Sequence, residues 1–357
     1  DFPKNKLIEA LTDLGIRFGS HANASTSFDH TEFRIKLDTN EPQRLSQAIS
    51  ILKQWAALIE FKPEEVRAEI PIVVQEFKLR EPTLERARFK LRQAIYKGSR
   101  FANRYPIGTL ESIQSATPEK LRSFFRRWYT PSNTHLIVSG DVDVDAVKQL
   151  ILGQFADWKK KPNAESPVVS DLNLAAVPDH ASFSDSNMIG SEVSLAFASP
   201  NSRPQTLQQR EENLRWEIGL DILKKRLVKR LVMSRGKVTQ SYTYWSRPSP
   251  NVQHIGLTAI LSKDDYQDGM DLLSSELAHI RSGGITQQEL DDVRNGILTH
   301  ERSQQDSSSH LASVAVENVL YGTPVIDQPS WYEALKNSLP KLTVQQVNTA
   351  LNTVISG

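Results

Sequence analysis

Cysteine is absent from all 357 residues of the chain. This absence excludes a disulfide framework, a zinc site built from thiolates and a cysteine nucleophile, and it is compatible with both the cytosol and the periplasm. Long hydrophobic runs are missing as well, since no segment approaches the roughly 20 apolar residues that span a bilayer. We therefore expect no membrane-spanning helix.

The chain also has almost no net charge, because 43 basic side chains are balanced by 42 acidic ones. Proteins that bind nucleic acid neutralise phosphates with a basic excess or a basic stripe, so this balance argues against a nucleic-acid partner. Hydrophobic residues make up 39% of the sequence, which is enough to build packed cores. At roughly 150 residues per domain, the length corresponds to about two domains.

Common catalytic motifs are rare in this sequence. It has no Gly-x-Ser-x-Gly elbow, which argues against a serine hydrolase. Its eight histidines include no pair at i+3 or i+4 spacing, so no helix offers two imidazoles to one metal ion. His300-Glu301 begins like a zinc-peptidase helix, but position 304 is Gln, and a solvated helix is the better interpretation.

Hydrophobic periodicity predicts a mixture of helices and strands. The predicted helices lie at 4–14, from Pro42, from Pro63, at 117–127, from Asp143 or Asp145, and at 206–233, 264–281, 286–304 and 309–320. The predicted strands lie at 23–37, 135–139, 192–197, 242–245 and 254–260. Gly15 is expected to end the first helix in a left-handed conformation.

A polar segment that contains two prolines, residues 159–167, shows no periodicity and marks a domain boundary. We therefore predict a first domain over 1–160, a linker over 161–178 and a second domain over 179–357. The second half repeats the general plan of the first and lacks the βαβ rhythm of nucleotide-binding folds. The expected fold class is α+β, with two similar domains that each pack helices on a mainly antiparallel sheet.

Two carboxylates in the predicted helix after Pro63 stand out. Glu69 and Glu76 are seven residues apart, so they lie on one face about two turns from each other. Because neighbouring residues such as Ile72 are apolar, a bound cation would offset the cost of burying these charges. On spacing alone, a solvated acidic stripe is the simpler interpretation. Pro71 lies between the two glutamates and is expected to kink the helix.

Several runs of residues resemble those of the pitrilysin/insulinase family of zinc metallopeptidases, and especially its long bacterial periplasmic members. The resemblance covers residues 1–160 closely and residues 180–357 more loosely, as the family's second domain. The matching runs are Phe2-Pro-Lys-Asn-Lys-Leu-Ile-Glu-Ala-Leu11, Leu14-Gly-Ile-Arg-Phe-Gly19, Asn23-Ala-Ser-Thr-Ser-Phe-Asp-His-Thr31, Glu64-Glu-Val-Arg-Ala-Glu-Ile-Pro-Ile-Val-Val-Gln-Glu76, Tyr105-Pro-Ile-Gly-Thr-Leu110, Phe125-Arg-Arg-Trp-Tyr-Thr-Pro131 and Val138-Ser-Gly-Asp-Val142.

The resemblance implies that Glu76 is the third protein ligand of a zinc ion and that Glu69 supports the site without being the principal ligand. Two histidine ligands and the catalytic glutamate would come from a His-x-x-Glu-His helix, which in the family lies directly upstream of the first matching run. The 357 residues contain no such motif. We therefore expect zinc in the complete protein, and no bound zinc and no catalytic residue in this chain alone.

The first five residues, Asp1-Phe-Pro-Lys-Asn5, are typical neither of a translation start nor of a signal peptide. We accordingly expect that residues upstream of Asp1 have been removed.

A further implication concerns the peptide substrate. Asn23, Ala24, Ser25 and Thr26 resemble the edge strand that receives a peptide by strand addition. Ser25 stands where relatives often carry an aromatic residue, so the subsite preference is open. Without the resemblance, an ordinary strand that leads out of a loop is the simpler interpretation.

Arg235 and Tyr242 resemble an arginine–tyrosine pair with which the opposite half of family members contributes to the active site. In this chain they fall in the domain that follows the predicted metal domain. The start of a structural hairpin is therefore the preferred interpretation, and a substrate contact is the alternative.

The function implied by the resemblance is zinc-dependent endopeptidase action on peptides or unfolded protein segments, in the bacterial periplasm. This chain is expected to be an inactive or incomplete part of that enzyme. Its partners would be the peptide and the second half of a clamshell, either fused or separate, or a second copy in a homodimer. The alternative is a non-catalytic subunit that binds peptides or acts as a scaffold.

Overall fold

The computed structural model describes most of the chain: residue 9 and residues 11–17, 19–79, 82–160, 165, 173, 180–184, 190–200, 204–233, 236–249, 252–262, 266–304 and 307–355. The chain forms two compact units, of which the first comprises residues 1–89 and 103–169 and the second comprises residues 90–102 and 170–357. Residues 90–102 thus belong to the second unit although their sequence neighbours on both sides belong to the first. The predicted linker at 161–178 falls almost entirely outside the described residues.

The first part of the chain combines a β-hairpin with a series of helices. Strands β1 (Ala22–Thr26) and β2 (Thr31–Ile35) pair antiparallel, from Ala22 opposite Ile35 to Thr26 opposite Thr31. The helices are α1 (Pro42–Ala57), α2 (Pro63–Leu79), α3 (Pro82–Ile95), α4 (Arg100–Asn103), α5 (Leu110–Gln114), α6 (Pro118–Trp128) and α7 (Val144–Gln154).

Local sequence signals explain where these elements begin and end. Pro42 and Pro118 occupy the first turn of α1 and α6, where the missing N–H of proline removes no helical hydrogen bond. The Thr117 hydroxyl accepts a hydrogen bond from the backbone N–H of Lys120 and caps α6. Gly15 has a φ of 71°, so the predicted left-handed end of the first helix is confirmed.

The described core of the first unit is small. It is built from Leu11, Leu14, Ile16, Ala22 and Ile51, against which the partly buried Ile35, Leu37 and Trp55 pack. This cluster joins the first helical residues, the hairpin and α1.

The strand predicted at residues 135–139 is wrong. These residues form no strand in the structure, and the sheet described in the first unit contains β1 and β2 alone. An apolar run indicates burial, whereas a strand also requires a partner that satisfies its backbone N–H and C=O groups.

The second unit is built on a three-stranded antiparallel sheet. Its strands are β3 (Ser191–Pro200), β4 (Val238–Ser249) and β5 (Val252–Leu261), in the spatial order β3–β5–β4. Its helices are α8 (Leu207–Met233), α9 (Tyr266–Gly283), α10 (Gln287–Gln304), α11 (Ser308–Tyr321), α12 (Gln328–Ser338) and α13 (Val344–Val354). The predicted long helix and the predicted hairpin are therefore confirmed as α8 and β4–β5, and the α+β fold class is confirmed.

One face of the central strand β5 forms the floor of the main core. Ile255, Leu257, Ala259 and Leu261 alternate along this face and are almost completely buried. Helix α8 packs so closely against α13 that a Cβ atom added to Gly219 would stand only 2.9 Å from the Cβ of Leu351. Each fully buried aliphatic side chain in this core, such as Ile255 or Leu257, contributes about 1.5–3 kcal/mol to folding. None of the described helices has the length and hydrophobicity needed to cross a bilayer.

A buried ionic network joins α8, α9 and α10. Glu276 is only 3% exposed and accepts hydrogen bonds from Arg230 at 3.1 Å and from Arg226 at 3.5 Å. Arg226 also donates to both carboxylate oxygens of Glu289, at 2.6 and 2.7 Å, and to the carbonyl of Gly284 at 3.0 Å. The single buried carboxylate of Glu276 therefore balances part of the charge of two arginines.

The hydrogen bond from Arg226 is the main reason why the pKa of Glu289 falls to about 2, although burial opposes this shift. Because this folded-state pKa lies below the ordinary value of 4.5, the ionised group stabilises the fold above pH 4.5. We expect that contribution to be lost as the pH falls from 4.5 towards 2.

We predict that Glu276→Gln lowers the free energy of unfolding by about 2–3 kcal/mol, because it leaves two guanidinium groups beside a neutral, buried amide. The matched control is Asp271→Asn, an exposed acidic residue on the same helix, which should change stability by about 0.5 kcal/mol at most. Urea unfolding at pH 7 measures both values. Equal effects of the two substitutions would contradict a structural role for the network.

Candidate functional site

Helix α2 carries the two glutamates predicted to face a metal ion. Its first turn contains Glu64 and Glu65, whose charges are favourable at a helix N-terminus. The helix continues from Pro63 to Leu79 through Pro71, so this proline does not end it. Pro71 lies on the exposed side, where water can hydrogen-bond to the backbone carbonyl that loses its helical partner.

Glu69 and Glu76 are both exposed, so the burial cost that suggested a cation at the sequence level does not arise in this chain. Helical geometry places them about 20° apart around the axis and about 10 Å apart along it. Two apolar side chains lie beside them on the same face: Ile72 is 54% exposed and Leu79 is 74% exposed. We call Glu69, Ile72, Glu76 and Leu79 the outer face of α2.

The residues that the structure describes do not by themselves form a zinc site. Structural and catalytic zinc sites use at least three protein ligands that converge on the metal. The described residues contain no group of three His, Cys, Asp or Glu side chains that could hold a metal ion. The outer face of α2 supplies two carboxylates, which is one ligand too few even if both of them bound.

The predicted substrate strand is β1, and in the described part of the chain it pairs only with β2. Its residues are exposed from Asn23 to Thr26, while Ala22 is buried at its base. Backbone hydrogen bonds from Lys36 N–H to the His21 carbonyl, 2.7 Å, and from Ser27 N–H to the His30 carbonyl, 2.9 Å, set the alternation of the ladder.

In an antiparallel pair, successive residues direct their backbone N–H and C=O groups alternately towards the partner strand and away from it. Asn23 and Ser25 therefore direct these groups towards β2, and Ala24 and Thr26 direct theirs towards the outer edge. The N–H of Ala24 donates to the side-chain oxygen of Asn23 at 2.9 Å. The backbone N–H and C=O groups at the outer edge of β1 are thus those of Ala24 and Thr26. Asn23 contributes its side chain to this edge.

The structure does not test the predicted pair of Arg235 and Tyr242, because Arg235 lies outside the described residues. Tyr242 is half-buried in β4 and stands opposite Thr258 of β5. Its side chain shares a sheet face with Tyr244, whose pKa is raised chiefly by burial and further by Tyr242.

The sequence interpretation noted that Ile72 is apolar, but it missed Leu79 and the exposure of both side chains on the outer face of α2. Ile72 and Leu79 each follow a glutamate by three residues, which is the helical spacing of neighbours on one face. That spacing is visible in the sequence, but exposure is a property of the folded chain.

Comparison with known proteins identifies the family. A model described as "Insulinase (Peptidase family M16)" matches residues 1–104, and a model described as "Peptidase M16 inactive domain" matches residues 115–297. The chain belongs to the M16 insulinase family of peptidases. The resemblance drawn from the sequence motifs is thereby confirmed.

Full-length relatives are much longer than this chain. The "Probable zinc protease PqqL" of Escherichia coli is 28% identical over 355 residues, which cover 97% of this chain and 38% of the relative. The protein of the same name from Haemophilus influenzae is 25% identical, over 99% of this chain and 39% of the relative. The chain thus spans about two-fifths of the length of these M16 relatives.

Solved structures share the fold. The first half of the periplasmic protease PqqL from Escherichia coli superposes with a TM-score of 0.75 at 26% identity, over 99% of this chain and 77% of that one. A protease from Helicobacter pylori gives a TM-score of 0.76 at 20% identity, over 98% of this chain and 81% of that one, and shows likeness of fold alone.

Proposed function

We propose that the complete protein is a zinc-dependent endopeptidase of peptides or unfolded protein segments, and that this chain is an incomplete part of it. In this proposal Glu76 is the third protein ligand of the metal, Glu69 supports it, and β1 aligns the substrate. The observation that carries the proposal is the outer face of α2, where two carboxylates alternate with exposed aliphatic side chains. The naming of M16 relatives as zinc proteases supports it.

The composition of this face favours a covered surface over a solvated acidic stripe. A solvated stripe has no need of Ile72 and Leu79, which expose more than half of their side chains on one side of the helix. A covering segment would remove this apolar area from water at a gain of about 25 cal/mol per Å². A His-x-x-Glu-His helix packed here would bury these side chains and bring two imidazoles next to Glu76.

The chemistry divides between the two segments. Bound zinc supplies Lewis acidity and a nucleophilic water in peptidases of this type. Within this chain, Glu76 offers a ligand oxygen and β1 offers backbone hydrogen bonds, while the general base and both imidazoles belong to the His-x-x-Glu-His helix. The peptide would lie along the outer edge of β1, between groups of Ala24 and Thr26.

Location and assembly follow the same reasoning. The E. coli relative of known structure is described as a periplasmic protease, and we propose the periplasm for this protein. Since the chain spans about two-fifths of its relatives, a second half would complete a clamshell around the peptide. That half is either fused to this chain or a separate partner, and a second copy of the chain is the alternative.

A non-catalytic subunit is the second candidate function. The match of residues 115–297 to a model described as an inactive domain favours it. The outer edge of β1 would then hold a peptide without cleaving it. The gene upstream of Asp1 discriminates the two: an intact His-x-x-Glu-His favours the enzyme, and a degenerate motif favours the binding or scaffold subunit.

We predict that the isolated 357-residue chain has no peptidase activity, because it lacks the general base and the imidazole ligands. The measurement is cleavage of an unstructured fluorogenic peptide with excess zinc, using the chain extended by its His-x-x-Glu-His segment as the positive control. Chelator-sensitive cleavage by the isolated chain, with contaminating protease excluded, would refute this prediction.

We predict that Ala24→Pro weakens peptide binding by the extended protein about three- to tenfold, the equivalent of roughly one backbone hydrogen bond. Proline removes the outward N–H of residue 24 but no hydrogen bond to β2, so the hairpin should stay intact. Ala24→Val keeps the N–H and is the matched control. Fluorescence anisotropy measures affinity and circular dichroism checks the fold; unchanged affinity in a folded Ala24→Pro protein would exclude β1 as the substrate strand.

We predict that zinc binds this chain only weakly and binds the extended protein tightly, because hydration competes well against one or two carboxylate oxygens. In the extended protein, Glu76→Gln should reduce zinc affinity more than Glu69→Gln does. Loss of the supporting carboxylate of Glu69 should reduce zinc affinity about 10–100-fold. Glu65→Gln, an exposed glutamate of the same helix, is the control and should leave affinity unchanged. Calorimetry decides; equal affinity for wild type and Glu76→Gln would remove Glu76 from the site.

A further inference from the structure

Residues 90–102 are held on the sheet of the second unit by an aromatic pair. The hydroxyl of Tyr96 and Nδ1 of His254 are 2.8 Å apart and share a hydrogen bond. The two rings also stack, with centroids 5.2 Å apart and planes inclined by 28°. Phe101 meets Tyr96 edge-on with centroids 6.4 Å apart and is itself buried, so the Tyr96 ring is also held from within its own segment.

The sheet surface around His254 provides room for the Tyr96 ring. His254 lies in β5, and its cross-strand partners are Ala198 of β3 and Ser246 of β4, both small. Two residues further along the same face is Gly256, where a Cβ atom would overlap the ring of Tyr244. A side chain at position 256 would therefore occupy space that the Tyr244 ring now fills.

His254 is 5% exposed, and its Nε2 is buried without a hydrogen-bond partner among the described residues. In the neutral state one ring nitrogen shares the hydrogen bond with Tyr96 and the other is left unsatisfied, whichever tautomer forms. After protonation both nitrogens carry hydrogen, and Nε2–H becomes part of a buried cation. Burying an unpaired charge costs far more than burying an unpaired neutral nitrogen.

The charged and titratable groups around this face do not offset that cost. Glu192 of β3 stands opposite Ile260, six residues or about 20 Å along β5 from His254. Among the described sheet residues, the other titratable groups on this face are Tyr242 and Tyr244 of β4, and burial raises the pKa of Tyr244. On the segment side, burial raises the pKa of Tyr96, while Arg92 one helical turn earlier lowers it and disfavours a second cation nearby.

We propose that Tyr96 and His254 form a pH-sensitive clasp that holds residues 90–102 on the sheet at neutral pH and releases them when His254 is protonated. The segment contains the last residues of α3, 90–95, and α3 follows α2 in the chain. Opening of the clasp would therefore free the C-terminal end of α3, the helix that follows α2 and its candidate metal ligand Glu76. The proposal concerns a contact within the second unit and does not depend on zinc binding.

The direction of the pH effect follows from linkage. Burial lowers the pKa of His254 from its ordinary value of 6.5 in the closed clasp. The open state consequently binds more protons between the two values, so closure weakens as the pH falls below 6.5. At pH 5.5 the imidazole of the open state is protonated in a ratio of about ten to one. The protection of residues 90–102 against hydrogen exchange can therefore fall at most about tenfold at that pH.

Hydrogen exchange of the full chain, read by mass spectrometry as protection factors at pH 7.5 and 5.5, tests the proposal. We expect peptides covering 90–102 to lose about five- to tenfold in protection at pH 5.5, while peptides of α10 in the same unit lose less than twofold. The double variant Tyr96→Phe/His254→Phe keeps two stacked rings, removes the titrating group and leaves neither partner unpaired. Its protection of 90–102 should be the same at both pH values within twofold.

The control is His279→Gln, an exposed histidine of α9, which should keep the wild-type pH profile. The same pH-dependent loss in the double variant, or no loss in the wild type, would overturn the clasp. Exchange of the imidazole C2 proton in the unmutated chain is a second measurement that needs no variant. A titration midpoint for His254 below 6.5 supports the proposal, and an ordinary midpoint overturns it.

Discussion

The two faces of strand β5 differ in chemistry, and the second unit is organised around that difference. One face carries Ile255 and Leu257 into the hydrophobic core beneath α8, and the other carries His254 and Gly256 towards Tyr96 and Tyr244. Because side chains alternate strictly along a strand, a slip of one residue in register would exchange the two faces and destroy both contacts. The antiparallel pairing of β5 with both neighbours fixes that register.

The first unit depends on a different constraint, which is the amount of apolar surface it can cover. Its described core is a small cluster around Leu11 and Ile51, whereas the outer face of α2 leaves Ile72 and Leu79 in water. Among the described residues, the carboxylates beside them are too few to form a zinc site by themselves. Membership of the M16 family and the shorter length of the chain than its relatives are both consistent with a surface that other residues cover.

Sequence patterns predicted the elements whose signals are local. Pro63 opens α2, Gly15 ends the first helix, and the apolar alternation of 254–260 is that of β5. The same patterns failed at residues 135–139, because periodicity reports burial and does not report a hydrogen-bonding partner. They also gave no sign that residues 90–102 leave the first unit for the second, since that association rests on contacts between residues 158 positions apart in sequence, Tyr96 and His254.

The sequence alone determined the family, the fold class and the common helical face of Glu69 and Glu76, because each follows from short-range spacing or from runs of matching residues. Only the tertiary structure decided that these carboxylates are exposed, that the backbone of Ala24 and Thr26 faces away from β2, and that His254 is buried against Tyr96. Exposure, ladder alternation and burial all depend on which distant segment packs against a residue. The spacing of residues along the sequence does not specify which distant segment that is.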